Sequence, residues 1–383
     1  MTATIEILDR LMSFDTVSAR PNIELIQYLE GILREAGAEV TVIRTPDGHK
    51  ANLFATIGPR DRGGVLLSGH TDVVPVEGQA WTLPPFALTR ADGRLYGRGA
   101  ADMKGFVAAA TAAALAAARR ELRVPLHLAF SHDEEVGCIG VHSLIDMLAV
   151  APFRPVMCIV GEPTGMAVAT GHKGKIGRRA IFIGREGHSA LAPLAVNALH
   201  MGADFINEVR VLQRRVEETG NRDGDYDVPY TTLHVGRMAG GGPLNIVPNR
   251  CEVDYEVRNL AEDDPVALMG ELAAKARALA LATGAPEADV SFEEIMQYSG
   301  LGTPTDAEVV RFVKGLTGAN GTIKVAFGTE GGLFHERLGI PTVICGPGSM
   351  MQGHKPDEYV TEEQVALCEA MLARLTDRLE AGL

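Results

Sequence analysis

Five carboxylate and imidazole side chains, His70, Asp102, Glu135, Glu162 and His354, stand at the ends of apolar runs or in glycine-rich turns, and another acid, Glu134, adjoins one of them. Carboxylates and imidazoles without thiolates suit Zn²⁺, with Co²⁺ or Mn²⁺ as alternatives, in an oxygen- and nitrogen-rich site. Two such ions need a shared ligand, and Asp102 is the natural bridge. It lies in Gly97-Arg98-Gly99-Ala100-Ala101-Asp102-Met103-Lys104-Gly105, where small residues let the backbone bend and set a carboxylate at the start of an apolar helix. The expected chemistry is two-metal hydrolysis.

Neighbouring residues divide the work. Glu134 and Glu135 point to different sides of the chain as a strand runs out, so one can bind metal while the other faces a substrate water. Asp72 follows His70 by two residues and is placed to orient its imidazole, because a ligating His donates its other ring N–H to a carboxylate or carbonyl. Glu330 and Gly331 lie in the glycine-rich turn Gly328 to Gly332. Such a turn permits close backbone approach to a ligand, and Glu330 is expected to receive a substrate side-chain ammonium there.

The elements that must position these groups are strand-like runs at Glu39 to Ile43, Val65 to Leu67, Leu126 to Phe130 and Val156 to Val160, alternating with helical stretches at Ile5 to Met12, Ile23 to Ala36 and Met103 to Arg120. Alternation of this kind predicts an α/β domain with a mixed, mostly parallel sheet flanked by helices, whose strand ends converge on one crevice. After Lys175 the order becomes strand, helix, strand, strand, helix, strand. That is the ferredoxin-like βαββαβ unit, and the α/β pattern resumes with helix Asp306 to Thr317, the run Pro341 to Cys345 and helix Glu362 to Leu379. The expected division is a metal-binding domain of 1–175 and 298–383 interrupted by an inserted domain, 176–297.

Composition excludes several classes. With 36 Lys and Arg against 49 Asp and Glu the formal charge is −13, and no basic block interrupts it, so neither nucleic acid nor an anionic membrane is an expected partner. The apolar stretch Phe106 to Ala118 is too short to span a bilayer, and no secretory signal is read at the start, which predicts a cytoplasmic protein. Five cysteines without a Cys-x-x-Cys spacing argue for reduced, buried thiols. Gly97-x-Gly99 lacks the further glycine of a dinucleotide loop, and no Gly-x-Ser-x-Gly elbow is present.

Ser68-Gly69-His70-Thr71-Asp72-Val73-Val74-Pro75, Gly99 to Gly105, Asp133-Glu134-Glu135, Gly161-Glu162-Pro163-Thr164 and His354 fall in an order and spacing that resembles the dinuclear zinc amidohydrolases, a family that includes acetylornithine deacetylase, succinyl-diaminopimelate desuccinylase, aminoacylase and carboxypeptidase G. The resemblance covers essentially the whole chain. It implies one metal on His70, Asp102 and Glu162, a second on Asp102, Glu135 and His354, Glu134 as general base, and a cis peptide after Asp102. It also implies a zinc-exopeptidase-like fold with an inserted lid that makes a homodimer, in which His188, after Gly187, reaches the partner's site. Asn245 and Arg258 match lid positions that contact substrate, with Arg258 gripping the α-carboxylate.

Ala101 to Phe106, Gly171-His172-Lys173-Gly174 and Gly346 to Tyr359 look most like the acetylornithine deacetylases of that family. The resemblance therefore implies hydrolysis of a small-molecule N-acyl-L-amino acid, N-acetyl-L-ornithine first. A desuccinylase, a general aminoacylase or dipeptidase, and a non-catalytic metal- or ligand-binding protein are the alternatives.

Overall fold

The computed structural model describes residues 2–383, which form two compact units: 2–172 with 301–383, and 173–300. In the first unit nine strands make a mixed sheet. Its four central strands, in the order Leu126–Ser131, Val65–His70, Met157–Pro163 and Thr342–Gly346, are parallel, and antiparallel strands extend it on both sides. Every residue of those four strands is buried, as parallel strands covered on both faces require. With no exposed face, they read as continuous apolar runs and carry polar chemistry where they end.

Two groups of helices pack on this sheet. The alanine-rich helix Lys104–Ala117 lies against Ala3–Met12 and Glu362–Ala381, and a second pair is Val141–Val150 with Gly331–Leu338. Small side chains allow close approach. At Gly161 a Cβ would come within 2.0 Å of the Phe106 ring, so only glycine lets the helix sit this close to the strand that carries Glu162.

Residues 173–300 form a four-stranded antiparallel sheet in the order Thr232–Gly240, Arg250–Asn259, Gly174–Ile183, Asp289–Tyr298, with helices Ala198–Thr219 and Pro265–Ala282. The chain order is the βαββαβ expected from the sequence. Phe182, Phe205 and Tyr255 centre its core, with Phe205 edge-on to Tyr255 at 5.0 Å between centroids. Pro265–Ala282 keeps the bounds Pro265 to Ala282 expected from the sequence, because Asp264 caps it by accepting from the Val266 and Ala267 amides and Pro265 needs no donor there. The other helix, expected from the sequence over Ala195 to Val211, starts later and runs further. A separate 3₁₀ turn, Ser189–Leu194, precedes it, and the helix proper runs from Ala198 to Thr219.

Among the described residues no helix is long and apolar enough to cross a membrane, and all five cysteines are free and buried.

Candidate metal centre

His70 is the last residue of strand Val65–His70, and Glu162 lies near the end of the adjacent parallel strand Met157–Pro163. Strand Leu126–Ser131, on the other side, releases the chain into a turn at Asp133, whose φ of 57° swings it toward Glu134 and Glu135. Asp102 arrives from the loop before helix Lys104–Ala117, where the Asp102–Met103 peptide is cis, as the resemblance implied. His354, at φ 60°, comes from the loop after strand Thr342–Gly346. Residues 284 positions apart in sequence thus meet at one sheet edge (354 − 70).

Two groups form there, His70 with Asp102 and Glu162, and Asp102 with Glu135 and His354. They share Asp102. His70 Nε2 lies 3.1 Å from Asp102 Oδ1 and 3.6 Å from Glu162 Oε1. His354 Nε2 lies 3.1 Å from Asp102 Oδ2 and 3.0 Å from Glu135 Oε2. Glu134 belongs to neither group; its Oε2 stands 4.0 Å from His70 Nε2 and its Oε1 accepts from the Cys138 thiol at 3.3 Å.

Charge in this cluster is out of balance. Burial and the Asp102 charge push Glu135 up to about 7 and Glu162 well above the carboxylate range, and burial, with Glu135 adding to it, does the same to Glu134. Hydrogen bonds to Asp102 and Glu135 push His354 up to about 10. Burial opposes the His70 cation, but Asp102, Glu162 and Glu134 outweigh it. Four acids, Asp102 and Glu162 buried and Glu134 and Glu135 partly so, facing two imidazoles call for positive charge, and the nitrogen and oxygen donors fit two divalent cations with one bridging carboxylate.

Asp72 does more than the sequence suggested. His70 Nδ1 lies 2.9 Å from the Asp72 carbonyl but 3.6 Å from its carboxylate, so the main chain orients the imidazole. The carboxylate accepts instead from the Ser18 hydroxyl at 2.6 Å and from the amides of Glu134 and Glu135 at 3.1 and 3.3 Å. It fixes both acids through their backbone.

Glu330 and Gly331 require a correction. Gly331 opens the helix Gly331–Leu338, whose first turn is buried, and Glu330 precedes it in helical conformation rather than in an extended turn. The Glu330 carboxylate is 1% exposed and accepts from the hydroxyls of Ser68, at 3.1 Å, and Ser131. It ties two adjacent strand ends together beneath the site, which removes it as an open contact for a substrate ammonium.

The remaining expected residues lie in the unit 173–300. His188 is exposed; its Nδ1 accepts from the Ala190 amide at 3.1 Å, which leaves Nε2 as the proton-bearing nitrogen of the neutral ring. The Asn245 side chain is exposed and its carbonyl accepts from the Ser189 amide at 3.0 Å, so His188 and Asn245 sit on paired segments. Arg258 donates to Glu256 at 3.0 Å and to the Tyr298 hydroxyl at 2.7 Å.

Sequence reasoning missed Ser18, Cys138, Arg98 and Glu358. Of these only Glu358 carried a signal, a second acid in the stretch Lys355-Pro356-Asp357-Glu358 just before a strand.

The profile of the peptidase family M20/M25/M40 matches residues 66–378. An acetylornithine deacetylase of Myxococcus xanthus is 36% identical over 372 residues, covering 96% of this chain and 95% of the relative. That of Klebsiella pneumoniae is 34% identical, covering 93% and 92%. The crystal structure of an M20 family metallo-carboxypeptidase from Sulfolobus solfataricus aligns over the full length of both chains with a TM-score of 0.79 at 21% identity.

Proposed function

The chain belongs to peptidase family M20/M25/M40, and from that premise we propose that it hydrolyses the amide of an N-acyl-L-amino acid, with N-acetyl-L-ornithine as substrate and L-ornithine and acetate as products. One observation carries the reading: two three-residue donor groups share Asp102 while a further, half-buried acid, Glu134, stands beside them and in neither. A purely structural metal site has no use for that acid. The relatives named acetylornithine deacetylase, at 36% and 34% identity, support the choice of substrate.

His70, Asp102 and Glu162 would hold one Zn²⁺, and Asp102, Glu135 and His354 the other. Ions bound there supply Lewis acidity toward the amide carbonyl and acidify water. Glu134 accepts the proton of the attacking water on a carboxylate oxygen and returns it to the leaving nitrogen. His188, with Nε2 as donor, stabilises the oxyanion, while Asn245 and Arg258 take the substrate backbone and its α-carboxylate.

We place His188 in the site of a second copy. Leu191, Leu194, Leu244 and Ile246 are exposed around it, Leu244 at 98%, a patch suited to burial against another chain. Glu134→Ala and His188→Ala chains, each inactive alone, should then regain about a quarter of wild-type activity after subunit exchange, because half the dimers are mixed and each of these has one intact site. No recovery after verified exchange returns His188 to its own chain's site or removes it from catalysis altogether.

Turnover of Zn²⁺-loaded protein on N-acetyl-L-ornithine, N-acetylmethionine, an N-succinyl amino acid and a dipeptide tests the substrate. The highest kcat/KM is expected on N-acetyl-L-ornithine. A higher value on another member reassigns the substrate, and no turnover on any makes the chain a metal- or ligand-binding protein.

A further inference from the structure

Arg98 and Glu358 form a buried ion pair, 0% and 1% exposed and 2.7 Å apart, that the hydrolytic chemistry does not use. Taking two charges out of water is costly unless the remaining valences are filled. Here they are filled by the loop that carries Asp102. Glu358 Oε1 accepts from three successive-turn amides, Gly99 at 3.1 Å, Ala101 at 2.9 Å and Asp102 itself at 3.1 Å. These amides belong to the loop ahead of the helix Lys104–Ala117, so a carboxylate from a distant loop fixes the backbone that delivers Asp102. The Gly97 amide also donates to the Glu358 carbonyl, at 2.9 Å.

The other side of the pair reaches His354. Arg98 Nη2 donates to Gln79 Oε1, and Gln79 Nε2 donates to the His354 carbonyl at 3.0 Å. Glu358 lies only four residues after His354. One residue before it, Asp357 accepts from the amides of Thr82 and Leu83 at 2.9 and 3.1 Å and from the Thr82 hydroxyl at 2.7 Å, which fastens the same loop again. The two loops bring Asp102 Oδ2 and His354 Nε2 to 3.1 Å, a separation that a shift of one loop by an ångström would open.

We propose that Glu358, Arg98 and Gln79 act as a clamp that positions Asp102 and His354 for the cation they share. The inference rests on the metal-centre reading above. None of the three belongs to either donor group. Glu358 sets the bridging carboxylate and so bears on both ions, whereas Gln79 bears on His354 and so on the second ion alone.

Zn²⁺ alone is the probe, with two stepwise dissociation constants read by chelator competition on the full chain and melting of the metal-free protein as the control. Removing partners that orient ligands costs roughly 10- to 100-fold in metal affinity. Gln79→Ala should weaken the second ion about 10-fold, leave the first unchanged and leave the metal-free melting temperature where it was. Glu358→Gln keeps an oxygen for the amides but sets an amide nitrogen against Arg98, and should weaken both ions toward the upper end of that range. If Glu358→Gln fails to fold, Gln79→Ala carries the test. A Gln79→Ala chain that binds both ions as wild type does overturns the clamp while leaving the metal centre standing. A wild-type chain that binds fewer than two ions overturns the dinuclear reading, and the clamp with it.

Discussion

Both units gather charged residues at a sheet, one along a strand and the other where strands end, and they treat them in opposite ways. In the unit 173–300, Arg250, Glu252, Asp254, Glu256 and Arg258 alternate along one strand with the buried Cys251, Val253, Tyr255 and Val257. Their charges are matched within the sheet: Arg179 grips Asp254 at 2.6 and 3.0 Å, Lys175 meets Glu256 at 2.9 Å, and Arg237 meets Glu252 at 3.2 Å. At the sheet edge of the other unit, Asp102, Glu134, Glu135 and Glu162 are held, among the described residues, with only two imidazoles between them. Charge density alone therefore does not mark the site. Charge that the protein leaves unmatched, and buries, does.

The largest expected effect attacks that imbalance directly. Asp102→Ala removes the one carboxylate common to both groups, and metal content and turnover should fall together, as read by metal analysis and by the N-acetyl-L-ornithine assay. Glu134→Ala should separate the two readouts, keeping both ions while losing about 10²- to 10⁴-fold in turnover, the usual worth of a general base. A folded Glu134→Ala chain without metal would make Glu134 a ligand and leave the site without its expected base.

A second comparison lies within one unit. His354, beside two acids, is pushed up to about 10, whereas burial alone pushes His127 down to about 4. His127 is stacked between Phe54 and Phe153, at 5.5 and 4.9 Å, with Nδ1 3.0 Å from the Thr56 hydroxyl. The fold holds it neutral. Because its folded value lies below the ordinary 6.5, the unfolded chain takes up the proton first as pH drops. Its contribution is therefore complete above pH 6.5 and is lost as pH falls from 6.5 to about 4. The loss is on the order of 3 kcal/mol at about 1.4 kcal/mol per unit. Denaturant midpoints of the wild type and His127→Gln, measured across that interval, should converge as the wild type loses more stability than the variant does. Parallel curves would show that His127 does not titrate there.

Much of this arrangement was legible in the sequence. The strands that end at His70 and Ser131 announce themselves as apolar runs broken by polar clusters, and the fold gathers the same five residues that the pattern picked out as donors. What was not legible depends on distant partners. Strand Ala51–Ile57 holds Asn52, which looks like a loop residue until its amide is seen donating to the Gly140 carbonyl and the Ser143 hydroxyl and accepting from the His132 amide. Helix Gly331–Leu338 was hidden by the two glycines that open it, and with it the buried place of Glu330. Glu358, though its place beside Asp357 before a strand marks it out, serves amides more than 250 residues away, and no local pattern reports that pairing.

The smallest effect tests the matched side of the comparison. Arg179 and Asp254 make a two-pronged ion pair, yet their side chains remain 32% and 19% exposed, so water competes for both charges. Pairs in such settings are worth about 0 to 1 kcal/mol, and the neighbouring Arg237, 3.5 Å from Asp254, compensates part of any loss. A double-mutant cycle of Arg179→Ala and Asp254→Ala, read by denaturant unfolding, should therefore give a coupling energy below about 1 kcal/mol. Zn²⁺ affinity should stay at the wild-type value. The coupling should also shrink in high salt, because partly solvated charges are screened. A coupling of several kcal/mol, or a change in Zn²⁺ affinity, would mean that this row is no solvated, self-balanced face. The distinction between matched and unmatched charge would then fail as a guide to where this chain does its chemistry.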